Sequence, residues 1–211
     1  MSLESESRSA APRPVIGDPG PALTFIFTML TMCFWGIYAG IYDGPTELAV
    51  GLVQLACFLP YLVAAVLLFV RGDSMNGNIF LIFAALFGAV GGFLNIAAGL
   101  MEPLGFTMCT QLAAIPFLWG AIVLVPMLAS IWKTASAAAS LCFASIIIFL
   151  TLMALVGLGV LPESANVIIK WLCLFAAVDG FYTAINALLD IGGLKKFPEG
   201  RPIGLWFAGK N

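Results

Sequence analysis

Residues Trp171–Asp190, WLCLFAAVDGFYTAINALLD, form an apolar run broken near its middle by one acid. The run is long enough to cross a bilayer core of about 30 Å as a helix. Tyr182, Thr183 and Asn186 follow Asp179 at spacings of three, four and seven, which places the four side chains on one helix face. An ionisable group at membrane depth is expensive, and such groups normally face a bundle interior or a wetted path. This helix is therefore expected to present one face to lipid or neighbouring helices and one to a polar route.

Composition extends this reading to the whole chain. Hydrophobic residues make up 62% of the 211 and charged residues 9%, against roughly 45–50% and 25% in soluble domains. Six apolar segments of spanning length fit, near 22–41, 47–70, 78–101, 104–131, 135–161 and 167–190. A β-barrel would need alternating segments of about 10 residues; these runs are continuous and longer. The expected class is an all-α integral membrane protein with a transmembrane domain over 22–190, a flexible polar tail over 1–21 and a second polar tail over 191–211. The first tail lacks the pattern of a cleaved signal peptide.

Basic residues give the orientation. With six spans, Arg8, Arg13, Arg71, Lys133, Lys195, Lys196, Arg201 and Lys210 fall on one side, and Lys170 alone on the other, with Asp43, Glu47, Glu102 and Glu163. Both termini are expected in the cytoplasm, with the chain as a multi-pass protein of the cell's inner (plasma) membrane.

The same residues exclude several functions. The net charge of −2 and the lack of a basic run leave no nucleic-acid partner to expect. With no His, a Ser–His or Cys–His nucleophile pair cannot form, and no phosphate-binding, dinucleotide or metalloprotease motif is present. No enzyme, cofactor or metal is expected. Cys33, Cys57, Cys109, Cys142 and Cys173 fall in apolar segments without a CxxC pair and read as buried packing residues. Gly36/Gly40 and Gly88/Gly92 are spaced as GxxxG, which permits close helix approach.

What remains is a sparse set of polar groups at depth. Asp179 has no basic residue in any span to pair with, so it is expected to face a conduit and to exchange protons. Tyr182 and Asn186 share its face. Gln54, Asn95 and Gln111 fall in the outward parts of their spans and could form a vestibule with Tyr38 and Tyr42. The plainer alternative for each amide is a hydrogen bond between helices, worth about 0.6 kcal/mol.

Several stretches resemble the acetate uptake transporter family, the succinate–acetate permeases. Tyr182 with Ala184, then Leu188-Leu189-Asp190, is similar to the family's tyrosine followed by Leu-Asn-Glu. Arg201-Pro202-Ile203-Gly204 resembles its Leu-Pro-Ile-Gly, and Leu118-Trp119-Gly120 its Leu-Trp-Gly. Asp18-Pro19-Gly20-Pro21 is a degraded counterpart of Asn-Pro-Ala-Pro, and Arg71-Gly72-Asp73 resembles a basic-Gly-Asn turn. The resemblance implies a pore inside each six-helix protomer, a homohexamer, and passage of acetate, other small monocarboxylates or succinate with protons. It also implies a constriction of three apolar side chains at Phe27, Phe87 and Ile146, with Phe83 in place of Phe87 if no gap is allowed. Asp179 stands where the family has a small residue. A six-helix channel for a neutral solute such as urea or a short amide is the alternative, and a non-transporting membrane scaffold is a third.

Overall fold

The computed structural model describes residues 17–42, 46–106 and 109–207. The residues 1–16, with Arg8 and Arg13, and also Asp43 and Lys210, lie outside the described residues. Among those described there is no strand. Six helices are long and apolar enough to cross a membrane: α1 (Gly20–Ala39), α2 (Thr46–Arg71), α3 (Ser74–Met101), α4 (Thr110–Thr134), α5 (Ala137–Gly157) and α6 (Asn166–Ile191). A single turn, α7 (Gly204–Phe207), follows. An even number of spans brings both ends of the ring to one side, called here the terminal side; the other is the distal side.

Local chemistry sets the boundaries. The Asp18 carboxylate accepts from the Gly20 N–H (2.9 Å) at the start of α1. Gly40, at φ 67°, ends that helix in the left-handed region where only glycine is unstrained. Asp73 caps α3 by accepting from the Asn76 N–H (3.1 Å), so α3 starts four residues before the apolar run does. Ser136 caps α5 by accepting from Ala139 (3.2 Å). α4 begins at Thr110 rather than near 104, because Pro103 sits in a short 3₁₀ turn and Gly105 adopts φ 78°.

The six helices pack as a closed ring in chain order, each against its sequence neighbours, with α6 closing onto α1. A ring of six helices leaves an axis, and the path described below runs along it. The α2–α3 seam is the tightest. A Cβ on Gly88 would lie 2.8 Å from the Phe58 Cα, one on Gly51 2.7 Å from the Ile96 nitrogen, and one on Gly92 2.8 Å from the Leu55 Cγ. Small residues let these backbones touch, which supplies the dispersion contact that drives association in lipid. The GxxxG reading therefore holds for Gly88/Gly92. It does not hold for Gly36/Gly40. Gly40 is a helix end at which a Cβ would meet nothing within 4 Å, and Gly36 receives the ring of Tyr42 from its own chain.

The middle of α3, Phe83–Val90, is a π-type stretch with wider turns. Such stretches are rare and often occur at functional sites. Gln54 on α2 meets this stretch: its Nε2 donates to the Phe87 carbonyl (2.9 Å), and its Oε1 accepts from the Asn95 Nδ2 (2.6 Å).

The C-terminal segment is not a free tail over its described length. Asn186 brackets Phe197, its Oδ1 accepting from the Phe197 N–H (2.9 Å) and its Nδ2 donating to the Phe197 carbonyl (3.3 Å). The Tyr182 hydroxyl donates to the Pro198 carbonyl (2.6 Å), and the Ala138 N–H donates to the Glu199 carbonyl (3.0 Å). Ile203 is buried, and Gly204 sits against the Trp132 carbonyl. The segment thus straps the terminal ends of α6, α5 and α4 together.

Candidate functional site

Three cavities lie in line along the ring axis. The first, on the terminal side, has a volume of about 200 Å³ and is walled by residues including Thr24, Phe27, Asn76, Phe80, Phe83, Cys142, Ile146 and Thr183. The central one holds only about 20 Å³, room for about one water. Phe27, Leu30, Thr31, Phe34, Tyr61, Phe83, Phe87, Ile146, Phe149 and Leu150 line it. The distal one, about 170 Å³, is walled by residues including Phe34, Tyr38, Glu47, Asn95, Phe117 and Met153. Phe27, Phe83 and Ile146 are common to the first two cavities, and Phe34 to the second and third. Shared walls set the three in series: a terminal chamber, an apolar neck and a distal chamber.

The neck is aromatic. Phe27 and Phe83 stack with centroids 5.8 Å apart and planes at 12°. Phe83 also meets Phe87 edge-on at 5.3 Å, and Phe87 meets Phe117 at 6.0 Å. Tyr61 stacks on Phe80 at 6.0 Å. Gly120, within the Leu-Trp-Gly stretch, makes room for Phe87: a Cβ there would lie 3.0 Å from its ring. Both candidates on α3 line the neck, because residues four apart share one helix face. They sit at different heights. Phe83 shares the layer of Phe27 and Ile146 at the terminal end of the neck, and Phe87 lines only the neck.

The polar residues singled out from the sequence are dispersed. Asn95 and Tyr38 are among the residues that wall the distal chamber. Gln54 is fully buried and spends its amide between α2 and α3, so it supports the wall rather than forming it. Gln111 is exposed at the start of α4, where it accepts from the Cys109 thiol, and does not wall the distal chamber. Cys109 is exposed, unlike Cys57, Cys142 and Cys173.

The face expected on α6 is divided. Thr183 walls the terminal chamber, whereas Tyr182 and Asn186 hold the strap. Asp179 is half-buried, lines none of the three axial cavities, and has one buried oxygen, Oδ2, without a hydrogen-bond partner among the described residues. Its neighbour Gly180 packs on Thr28 of α1, 2.9 Å from a Cβ position.

The residues that sequence reading passed over are Phe34, Tyr61, Phe149 and Leu150. Phe34 recurs at helical spacing with Phe27, and Phe149 and Leu150 with Ile146, while Tyr61 stands on α2; spacing within a wholly apolar span does not distinguish an axial stripe from a lipid-facing one.

No family model and no curated protein matches the sequence. Among solved structures, the chain is similar to that of the bacterial acetate channel SatP, with a TM-score of 0.71 and 17% identity, over 88% of this chain and 100% of that one. At that identity the likeness is one of architecture, and this membrane-spanning chain has the fold of a bacterial acetate channel.

Proposed function

We propose that the protein is a channel of the cell's inner membrane for small monocarboxylates of the acetate class, passing as the proton-bearing neutral acid. The observation that carries this is the axial path itself, two chambers joined by a neck of about 20 Å³. The fold shared with an acetate channel supports the solute class. An apolar neck of this width can gate by dewetting, so a solute must shed most of its water to pass. An isolated carboxylate pays heavily for that unless it is paired. None of the residues lining the three cavities is Lys or Arg, and the one acid, Glu47, is at the distal mouth. The neutral acid meets neither penalty. The constriction is assigned to Phe27, Phe83 and Ile146, with Phe87 behind them. Asn95 offers a polar contact in the distal chamber. Both termini are placed in the cytoplasm, on the charge asymmetry of the loops, and a homohexamer with succinate as a second substrate rests on the family resemblance.

The absence of a basic side chain along the path also favours a second reading, a channel for a neutral solute such as urea or a short amide. Uptake of labelled acetate and urea into proteoliposomes at acid and alkaline pH separates the two. Acetate flux that rises at acid pH and is competed by succinate supports the first. Urea flux without acetate flux supports the second, and no flux of either sinks both.

A further inference from the structure

A fourth cavity, of about 390 Å³, lies off the axis on the distal half of the seam between α1 and α2. Its walls include Cys33, Tyr42, Ala49 and Val53. Three more wall residues, Ile37, Thr46 and Val50, also wall the distal chamber. The side cavity and the distal chamber are therefore separated by single side chains, two of them aliphatic and one a threonine. The α1–α2 seam is the sparsest in the ring. On its outer side Ala49 is exposed, and Leu52, one turn on, is 56% exposed.

The apolar groove between α1 and α6 provides the contrast. It is of similar size, about 430 Å³, yet shares no wall residue with any of the three axial cavities. An indentation of the outer surface does not by itself adjoin the axial path; the one at α1–α2 does, across Ile37, Thr46 and Val50.

We propose that the α1–α2 seam is a lateral portal, through which uncharged monocarboxylic acids dissolved in the bilayer enter the distal chamber. The solute class rests on the function proposed above; the portal itself does not. The walls favour the neutral form. Among the described residues they carry no charged side chain, and their polar groups are the Thr46 hydroxyl, the Tyr42 phenol and the weakly polar Cys33 thiol, which can hydrogen-bond a carboxylic acid but cannot neutralise a carboxylate. The axial mouth differs, because Glu47 stands there and repels an anion arriving from water. The two entrances thus both select against the ionised solute, and the lateral one draws on acid already partitioned into the membrane.

The test uses the full chain in liposomes. Met153→Cys places a thiol on the far wall of the distal chamber, outside the side cavity. It is labelled either with an uncharged lipophilic maleimide loaded in the bilayer or with a charged, impermeant maleimide in the water. Labelling is read at position 153 by peptide mass spectrometry, so the native cysteines stay in place. Ala49→Trp, which fills the side cavity only, is expected to abolish most lipid-borne labelling and leave water-borne labelling unchanged. Val53→Trp is a second plug at the same cavity should the first not fold. Lipid-borne labelling that is absent in the Met153→Cys parent, or indifferent to both plugs, overturns the portal. Absence of carboxylate flux in the unaltered protein would remove the solute assignment, and the labelling would still decide the portal.

Discussion

The ring of Phe83 on α3 lies nearly flat on that of Phe27 on α1, with centroids 5.8 Å apart, and the pair separates the terminal chamber from the neck. Two helices from opposite sides of the α2 position thus meet across the axis through one aromatic contact. Truncating either ring widens the narrowest part of the path. Phe27→Ala and Phe83→Ala are each expected to raise solute flux severalfold in proteoliposomes while costing stability, about 3–5 kcal/mol for the buried Phe83 and less for the half-buried Phe27. Phe87→Ala, one layer behind, is expected to raise flux less. Equal flux in all three variants and the parent would remove the constriction from this layer.

Gln54 links the wall to its support. Gln54→Leu leaves the Phe87 carbonyl and the Asn95 amide without their partner. The expected cost is about 1–3 kcal/mol for the orphaned groups, seen as a lower melting temperature in detergent. Gln54→Glu, which keeps an acceptor for Asn95 but loses the donor to Phe87, should be destabilising as well.

Gly88 lies where α3 touches the α2 backbone. Gly88→Leu must force apart backbones that leave only 2.8 Å between a Cβ here and the Phe58 Cα. Overpacking of this kind costs roughly 1–3 kcal/mol or more, and backbone cannot yield as a flexible side chain would. Loss of the monodisperse protein on size-exclusion chromatography is the expected outcome. A larger residue tolerated there would mean the seam is looser than its geometry.

The strap depends on Asn186, which is fully buried and makes two hydrogen bonds with the Phe197 backbone. Asn186→Ala should release the segment, and trypsin should then cut after Lys195 or Lys196 faster than in the parent. Tyr182→Phe removes one further bond, to Pro198, and should have a smaller effect in the same direction.

Asp179→Asn keeps the shape of the side chain and removes its charge. Because the carboxyl lines none of the axial cavities, acetate flux at fixed pH is expected to stay within about twofold of the parent, the range of a surface or packing change rather than a pathway one. A large loss of flux would return this residue to the conduit, where its position in an apolar span points.

The number of spans, their approximate limits and the charge asymmetry of the loops were legible in the sequence. Each is a local property: a lipid-buried backbone must satisfy its own hydrogen bonds, so a long apolar run is already a helix. The glycine seam at Gly88/Gly92 was legible too, because spacing and side-chain size suffice to describe it. The rotation of each helix about its own axis was not. In a soluble protein the polar face betrays the outside; here lipid and neighbouring helix are equally apolar, and Phe34 or Phe149 looks no different from exposed Phe93 or Phe175. Only tertiary packing, with Gly180 seated on Thr28 and Gln54 reaching into the widened turn of α3, decided that the rings of Phe27 and Phe83 stack on one another.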